Sequence, residues 1–211
     1  MGTHAEPIKL PDDFEATLAA LLAVRPEGFD EPLPAADVAA ALITRRPGLS
    51  QMQLHKLLYM AQAAHLVWYG SPAFRERIEA WTYGPMVRRI AGHYKQFGEG
   101  PINAPASGRA DAITDRVALV LGRVIDMFGH LTGSQLADLV KVEGSPWRQV
   151  WGDLPDDAKS QREIPLLLIS DYYREHGFER SDPTDEQSEL IRRFLIDDEL
   201  EALHELFRSV S

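Results

Sequence analysis

Residues 50–70 read Ser50-Gln51-Met52-Gln53-Leu54-His55-Lys56-Leu57-Leu58-Tyr59-Met60-Ala61-Gln62-Ala63-Ala64-His65-Leu66-Val67-Trp68-Tyr69-Gly70. Leu54, Leu57, Leu58, Ala61, Ala64, His65 and Trp68 recur at the three-and-four spacing that keeps one face of a helix over five turns. Ser50 is placed to accept an amide of the first turn. Gly70 is placed to close the helix in the left-handed conformation that glycine reaches without strain. This is the strongest helix signal in the chain, and the rest reads as mostly helical.

Upstream, Pro11 and Asp12-Asp13 open a helix with Phe14, Leu18, Leu21 and Leu22 to about Val24. Residues 25–36 hold three prolines and a glycine and read as a linker. A short Ala-rich helix from about Ala36 to Thr44 is broken at Pro47-Gly48. Downstream, residues 77–83 alternate polar and apolar, which predicts a short strand. Gly84-Pro85 then reads as a turn into a helix over about 86–97, and residues 98–110, rich in Gly, Pro, Ala and Ser, as a surface loop. Asp111 is the expected cap of a helix with Ile113, Val117, Val120, Leu121, Val124 and Phe128 inward. Thr132 opens another through Leu136, Leu139 and Val140. Ser145-Pro146 starts a short helix with Trp147 and Trp151 four apart, and Ile164-Pro165 one that runs to His176-Gly177. Thr184 with Gln187 forms a capping box for a tail helix bearing Leu190, Ile191, Phe194 and Leu195. Asp198 with Glu201 opens a last one with Leu203, Leu206 and Phe207. The expected fold class is mainly α, a compact multi-helix single domain with one or two short strands near residues 77–83. It divides into an N-terminal helix and Pro-rich linker (1–35), a helical core (36–177) and a C-terminal helical extension (178–211).

Of 211 residues 45% are apolar and 26% charged, a globular composition that excludes a disordered or collagenous chain. No apolar run approaches the ~18 residues of a membrane helix, and residues 1–7 lack a signal peptide's basic and apolar regions. A cytoplasmic protein is the expectation. With no cysteine there is no disulfide, thiolate metal site or cysteine nucleophile. Net charge is −10, and all of it falls in residues 111–211, with 11 basic and 21 acidic side chains. Residues 37–95 are instead basic, 8 against 3. The sum disfavours non-specific nucleic-acid binding, and the acidic half is suited to steering a basic protein partner.

Chemistry-bearing motifs are missing. Gly98-Glu99-Gly100-Pro101 has no following Gly-Lys-Ser/Thr, and its proline and glutamate are unsuited to phosphate. No two of the seven histidines stand three or four apart, and after His204-Glu205 the second zinc-ligand position is Arg208. Asp156-Asp157 and Asp197-Asp198 read as caps or solvated surface, and there is no Gly-x-Ser-x-Gly elbow. Leu131 to Val140 looks like half of a helix-turn-helix, yet its outer face offers Asp138 rather than basic residues. The expectation is no enzyme, no cofactor and no metal.

Two segments are denser in distinctive residues than packing requires. The first runs from Leu54-His55-Lys56-Leu57-Leu58-Tyr59-Met60-Ala61-Gln62 through Gly70-Ser71-Pro72-Ala73-Phe74 to Glu79-Ala80-Trp81-Thr82-Tyr83-Gly84-Pro85. The second is Leu136 to Val140 followed by Glu143-Gly144-Ser145-Pro146-Trp147. In order and spacing they resemble the Panacea domain family, the SocA-like or GepA-like antitoxin domain, over roughly residues 36–175. The chain departs from that pattern at Val140-Lys141, where the family often has Thr-His, and at Ala73, where Leu is common. The resemblance implies a helical, non-enzymatic antitoxin that neutralises a cognate protein toxin by direct binding, often a toxin that stops translation. SocA-like members instead act as adaptors that deliver the toxin to a Clp-type protease. A DNA-binding regulator is a further alternative. Lys56, Tyr59 and Gln62 are expected to tie the signature helix to the Trp81–Pro85 turn, and Tyr59, Trp81, Tyr83 and Trp147 to be core. Candidate partner contacts are Arg75, Arg77, Arg88 and Arg89, with Phe194, Leu203 and Phe207 in the tail.

Overall fold

A computed structural model describes residues 31–155 and 157–176. The expected first helix, residues 25–30 of the Pro-rich linker and the tail helices lie outside these residues.

Helices α1 (Ala35–Arg45) and α2 (Gln51–Tyr69) lead into a hairpin of β1 (Glu79–Trp81) and β2 (Gly84–Met86). There follow α3 (Arg88–Tyr94) with one 3-10 turn (Lys95–Phe97), α4 (Asp115–Phe128), α5 (Gly133–Val140), α6 (Pro146–Trp151), β3 (Arg162–Glu163) and α7 (Leu166–His176). The small antiparallel sheet has the order β2-β1-β3, with Trp81 opposite Gly84 and Glu79 opposite both Met86 and Glu163. The expected mainly α domain is found, with one strand more than the sequence showed.

Helix α2 is the hub. Ser50 caps it as expected, its Oγ accepting from the Gln53 amide (3.2 Å), and Gln53 Oε1 in turn accepts from the Ser50 amide (3.0 Å), which completes a capping box. Gly70 closes it at φ +66°, its N–H reaching the Leu66 carbonyl. Helices α1, α4, α5 and α7 and strand β2 all pack against it. The expectation of a single buried face is corrected: every residue from Leu54 to Leu66 is buried. Each large apolar side chain there contributes roughly 1.5–3 kcal/mol, and Ala61, Ala63 and Ala64 let neighbouring backbones approach.

Four polar side chains are carried inside with the rest. His55, Lys56, Gln62 and His65 are each at most 1% exposed, and burial on that scale costs free energy unless hydrogen bonds compensate. They bond one after another to the returning segment 71–87. His65 Nδ1 donates to the Ser71 carbonyl (2.6 Å). Gln62 holds the Phe74 peptide at both ends, Nε2 to its carbonyl (3.0 Å) and Oε1 from its amide (3.1 Å). Lys56 Nζ donates to the Pro85 carbonyl (3.1 Å), and the Val87 amide donates to His55 Nδ1 (3.3 Å). As α2 runs forward the clamped segment runs back, so four side chains fix where the hairpin stands.

Three local expectations are corrected. Gly84-Pro85 is not the turn but the first two residues of β2, the connection being Thr82-Tyr83. Helix α4 is capped by Thr114, which accepts from the Val117 amide (3.3 Å), rather than by Asp111. Leu139, expected to face inward on α5, is 42% exposed.

Candidate partner-binding surface

The hairpin corner gathers several of the residues singled out from the sequence. Glu79 on β1 is 1% exposed and is met from three directions. Arg88 grips it with Nε (3.1 and 3.2 Å) and Nη2 (3.0 Å), Trp81 Nε1 donates to Oε2 (2.8 Å), and Arg77 Nε lies 3.7 Å away. Burial alone pushes the Glu79 carboxyl upward; bonds from Arg88 and Trp81 and the charges of Arg88 and Arg77 outweigh it, holding it below its ordinary 4.5. A carboxyl depressed on folding contributes stability above its unfolded pKa and loses it as pH falls through the folded one. Glu79→Gln is therefore expected to lower Tm at pH 7, and the gap from wild type to close as thermal melts are taken below pH 4.5.

The hairpin tip is tied from the other side. Trp147 Nε1 donates to the Trp81 carbonyl (2.8 Å) and Lys141 Nζ to the Thr82 carbonyl (3.1 Å). Thr82 Oγ1 donates to the Ala158 carbonyl (2.9 Å). The Lys141 ammonium also stands 4.6 Å over the Trp147 ring, a favourable cation–π arrangement. Trp147 and Trp151, four apart on α6, stack at 5.0 Å and 16°. The departure at Lys141 thus has a visible role: its charge closes the hairpin onto α6.

Not every expected residue meets this corner. Of Lys56, Tyr59 and Gln62, only Lys56 reaches it; Tyr59 packs edge-on against Tyr173 at 5.9 Å and Gln62 holds Phe74. Tyr59 and Trp147 are core, 1% and 3% exposed, and Trp81 is half-buried. Tyr83 is not core; it is 68% exposed. Glu143 is exposed and pairs with Arg148 at 3.4 Å, Pro146 is the buried first residue of α6, and Leu54 and Leu57 are core. Among the candidate contacts, Arg75 and Arg89 are exposed and form no ion pair among the described residues; Arg77 and Arg88 share Glu79. Phe194, Leu203 and Phe207 lie outside the described residues. The role of His55 on the Val87 amide and of Glu79 as the partner of Arg88 and Trp81 was not foreseen, because nothing in a sequence distinguishes a polar residue with a distant buried partner from one that faces water.

A shallow recess of about 200 Å³ lies between Glu143, Gly144, Arg148, Gln149, Gly152 and Asp153, below the range of about 300–1,000 Å³ common for small-molecule sites. Among the described residues no cluster of three potential metal ligands occurs, and no helix is long and apolar enough to cross a membrane.

Residues 54–148 match the family model described as antitoxin SocA-like, Panacea domain. The matched stretch starts on the hub helix and ends at Arg148 on α6, so it takes in the clamped segment, the hairpin, Lys141 and Trp147. Comparison with curated proteins and with solved structures found no match.

Proposed function

We propose, from the premise that residues 54–148 form a SocA-like Panacea domain, that this chain is a non-enzymatic antitoxin. It binds a cognate protein toxin directly and blocks an activity that stops translation. The observation that carries this reading is the family match, and the hairpin corner beside it supplies a surface suited to a protein partner. Arg75, Arg77, Arg88 and Arg89 are the proposed contacts on the domain, and Phe194, Leu203 and Phe207 those in the extension that select among toxins.

Residues 31–176 hold 16 basic and 16 acidic side chains, so the net −10 comes from residues 1–30 (net −4) and 177–211 (net −6). Residues 31–176 are thus neutral in sum, and the sign of a partner's contact face follows from the local charge of the surface it meets. DNA reading through α5 is disfavoured, since its exposed residues are Ser134, Gln135, Asp138 and Leu139 and phosphate contacts call for cations.

The test is a growth assay. The product of the neighbouring open reading frame is induced alone and together with this chain, in a host lacking Clp proteases. Arrest relieved by this chain is the expected result. A toxic neighbour relieved only where Clp is present identifies the proteolytic adaptor instead. Deleting residues 184–211 is expected to abolish relief while the melting temperature of the remaining protein stays unchanged; undiminished relief removes the extension from the interface.

A further inference from the structure

Tyr83 combines exposure with fixation. It stands at the end of a two-residue connection and is 68% exposed. Three carbonyls around it are engaged: Trp81 by Trp147, Thr82 by Lys141, Pro85 by Lys56. Those three side chains come from α6, from the end of α5 and from α2. A turn held from three elements has little freedom left to lose when a partner arrives, which lowers the entropic cost of binding. A tyrosine in that position offers a large amphipathic contact with few torsions to order.

Its surroundings have the composition of an interface. Leu139 (42% exposed) and Val142 (44% exposed) flank Lys141, the residue that anchors the tip. The exposed charges on residues 75–89 are all arginines, Arg75, Arg77, Arg88 and Arg89, of which Arg77 and Arg88 pair with Glu79. Glu79 is buried, and Glu76 is turned to the Ala35 amide at 2.7 Å. An exposed aromatic on a fixed turn, next to a strand on which Arg77 and Arg88 gather at Glu79, has the residue types that carry most of a binding energy.

We propose that this corner, with Tyr83 as its central anchor, is the toxin-binding surface, and that it takes an acidic protein face containing an apolar recess for the phenol ring. The proposal rests on the antitoxin reading above. The uncompensated arginines set the sign of the partner's charge. The chain's own acidic residues 177–211, a second copy and a nucleic acid are the competing occupants.

The test uses the full-length chain and the purified product of the neighbouring reading frame. Tyr83→Ala is expected to weaken their complex at least tenfold with Tm unchanged, because the side chain supports nothing inside. Tyr83→Phe is expected to keep most of the affinity. Arg75→Glu with Arg89→Glu is expected to weaken binding and flatten its salt dependence. In the free chain, tetranitromethane is expected to nitrate Tyr83 ahead of the buried Tyr59 and Tyr94. If wild type binds and Tyr83→Ala binds equally well, this surface is overturned and the antitoxin reading stands. If wild type neither binds nor neutralises its neighbour, that reading falls and this occupant with it. Protection of Tyr83 in the free chain, released by removing residues 177–211 or by dilution, assigns the corner to the tail or to a second copy and overturns the proposal. Loss of duplex binding in Tyr83→Ala with protein binding intact assigns it to nucleic acid and does the same.

Discussion

Gly108→Ala is expected to melt roughly 10 °C below wild type. Gly108 lies at φ +82°, in a loop the sequence marks only as rich in small and turn residues. A Cβ there overlaps the carbonyl group of Ala36 and comes within 2.8 Å of the Asp37 amide. These are backbone atoms of the first turn of α1, and α1 cannot retreat. Its residues Val38 to Ile43 are fully buried, its Ala35 amide is held by Glu76 (2.7 Å), and Asp37 Oδ1 accepts from the Arg109 amide (2.8 Å). The loop cannot lift away cheaply either, since Ile102 is buried and bridges to Leu49. Overlap with fixed backbone added to left-handed strain costs about 3 kcal/mol or more. Gly144→Ala is the control: it has φ +76° and open space around its Cβ, so only the conformational cost of about 1 kcal/mol remains. Equal melting temperatures for the two variants in thermal denaturation show that the loop is not seated on α1.

The pieces of this fold that were legible are those whose cause is local. Ser50, Thr132 and Ser145 before Pro146 marked three helix starts, because a cap is a short-range hydrogen bond written in neighbouring residues. What failed depended on distant partners. Gly84-Pro85 carries a turn signal, yet it forms β2, where Gly84 at φ +100° leaves room for Lys56 and Pro85 occupies an edge strand that tolerates a missing amide. Strand β3 is two residues long, too short for any alternation, and exists because β1 offers it an edge. Lys56 and Gln62 were expected to tie α2 to the Trp81–Pro85 turn and His65 to share its apolar face; only the returning segment shows that Lys56 takes the Pro85 carbonyl, Gln62 the Phe74 peptide, His65 the Ser71 carbonyl and His55 the Val87 amide. At the candidate surface, Arg75 and Arg89 were legible as basic residues. Tyr83 was misread as core because its flanking residues Trp81, Gly84 and Pro85 are inward-facing, and a tight two-residue connection turns one side chain out without any mark in the sequence.

Lys56→Met is expected to remove a rise in stability that wild type shows between about pH 7 and 10.5. Lys56 is fully buried; burial first, and then the charge of Lys141, lower its pKa from 10.5 to about 7. His55 beside it is itself pushed down to about 3, by burial and then by Lys56, so it carries no charge in this window. The sign follows from proton counting. Between pH 7 and 10.5 the unfolded lysine is protonated more fully than the folded one, so stability increases with pH there, by roughly 1 kcal/mol per unit. Below pH 7 both states are protonated and the penalty of a buried ammonium is present in full. The hydrogen bond to the Pro85 carbonyl (3.1 Å) offsets part of it. Methionine matches the length of the side chain, removes the charge and leaves that carbonyl without its donor, which costs about 1–3 kcal/mol. The two stability curves, from denaturant titrations at fixed pH, are therefore expected to converge or cross: the variant equal or superior near pH 6, wild type superior near pH 10. A slope that survives in Lys56→Met places the titrating group elsewhere. Because an apolar residue serves stability at least as well at neutral pH, what the lysine contributes is position. It fixes the Pro85 carbonyl and so the stem of the hairpin on which Tyr83 stands, and the same variant is expected to lose affinity for the partner at pH 6 while its fold is as stable as wild type.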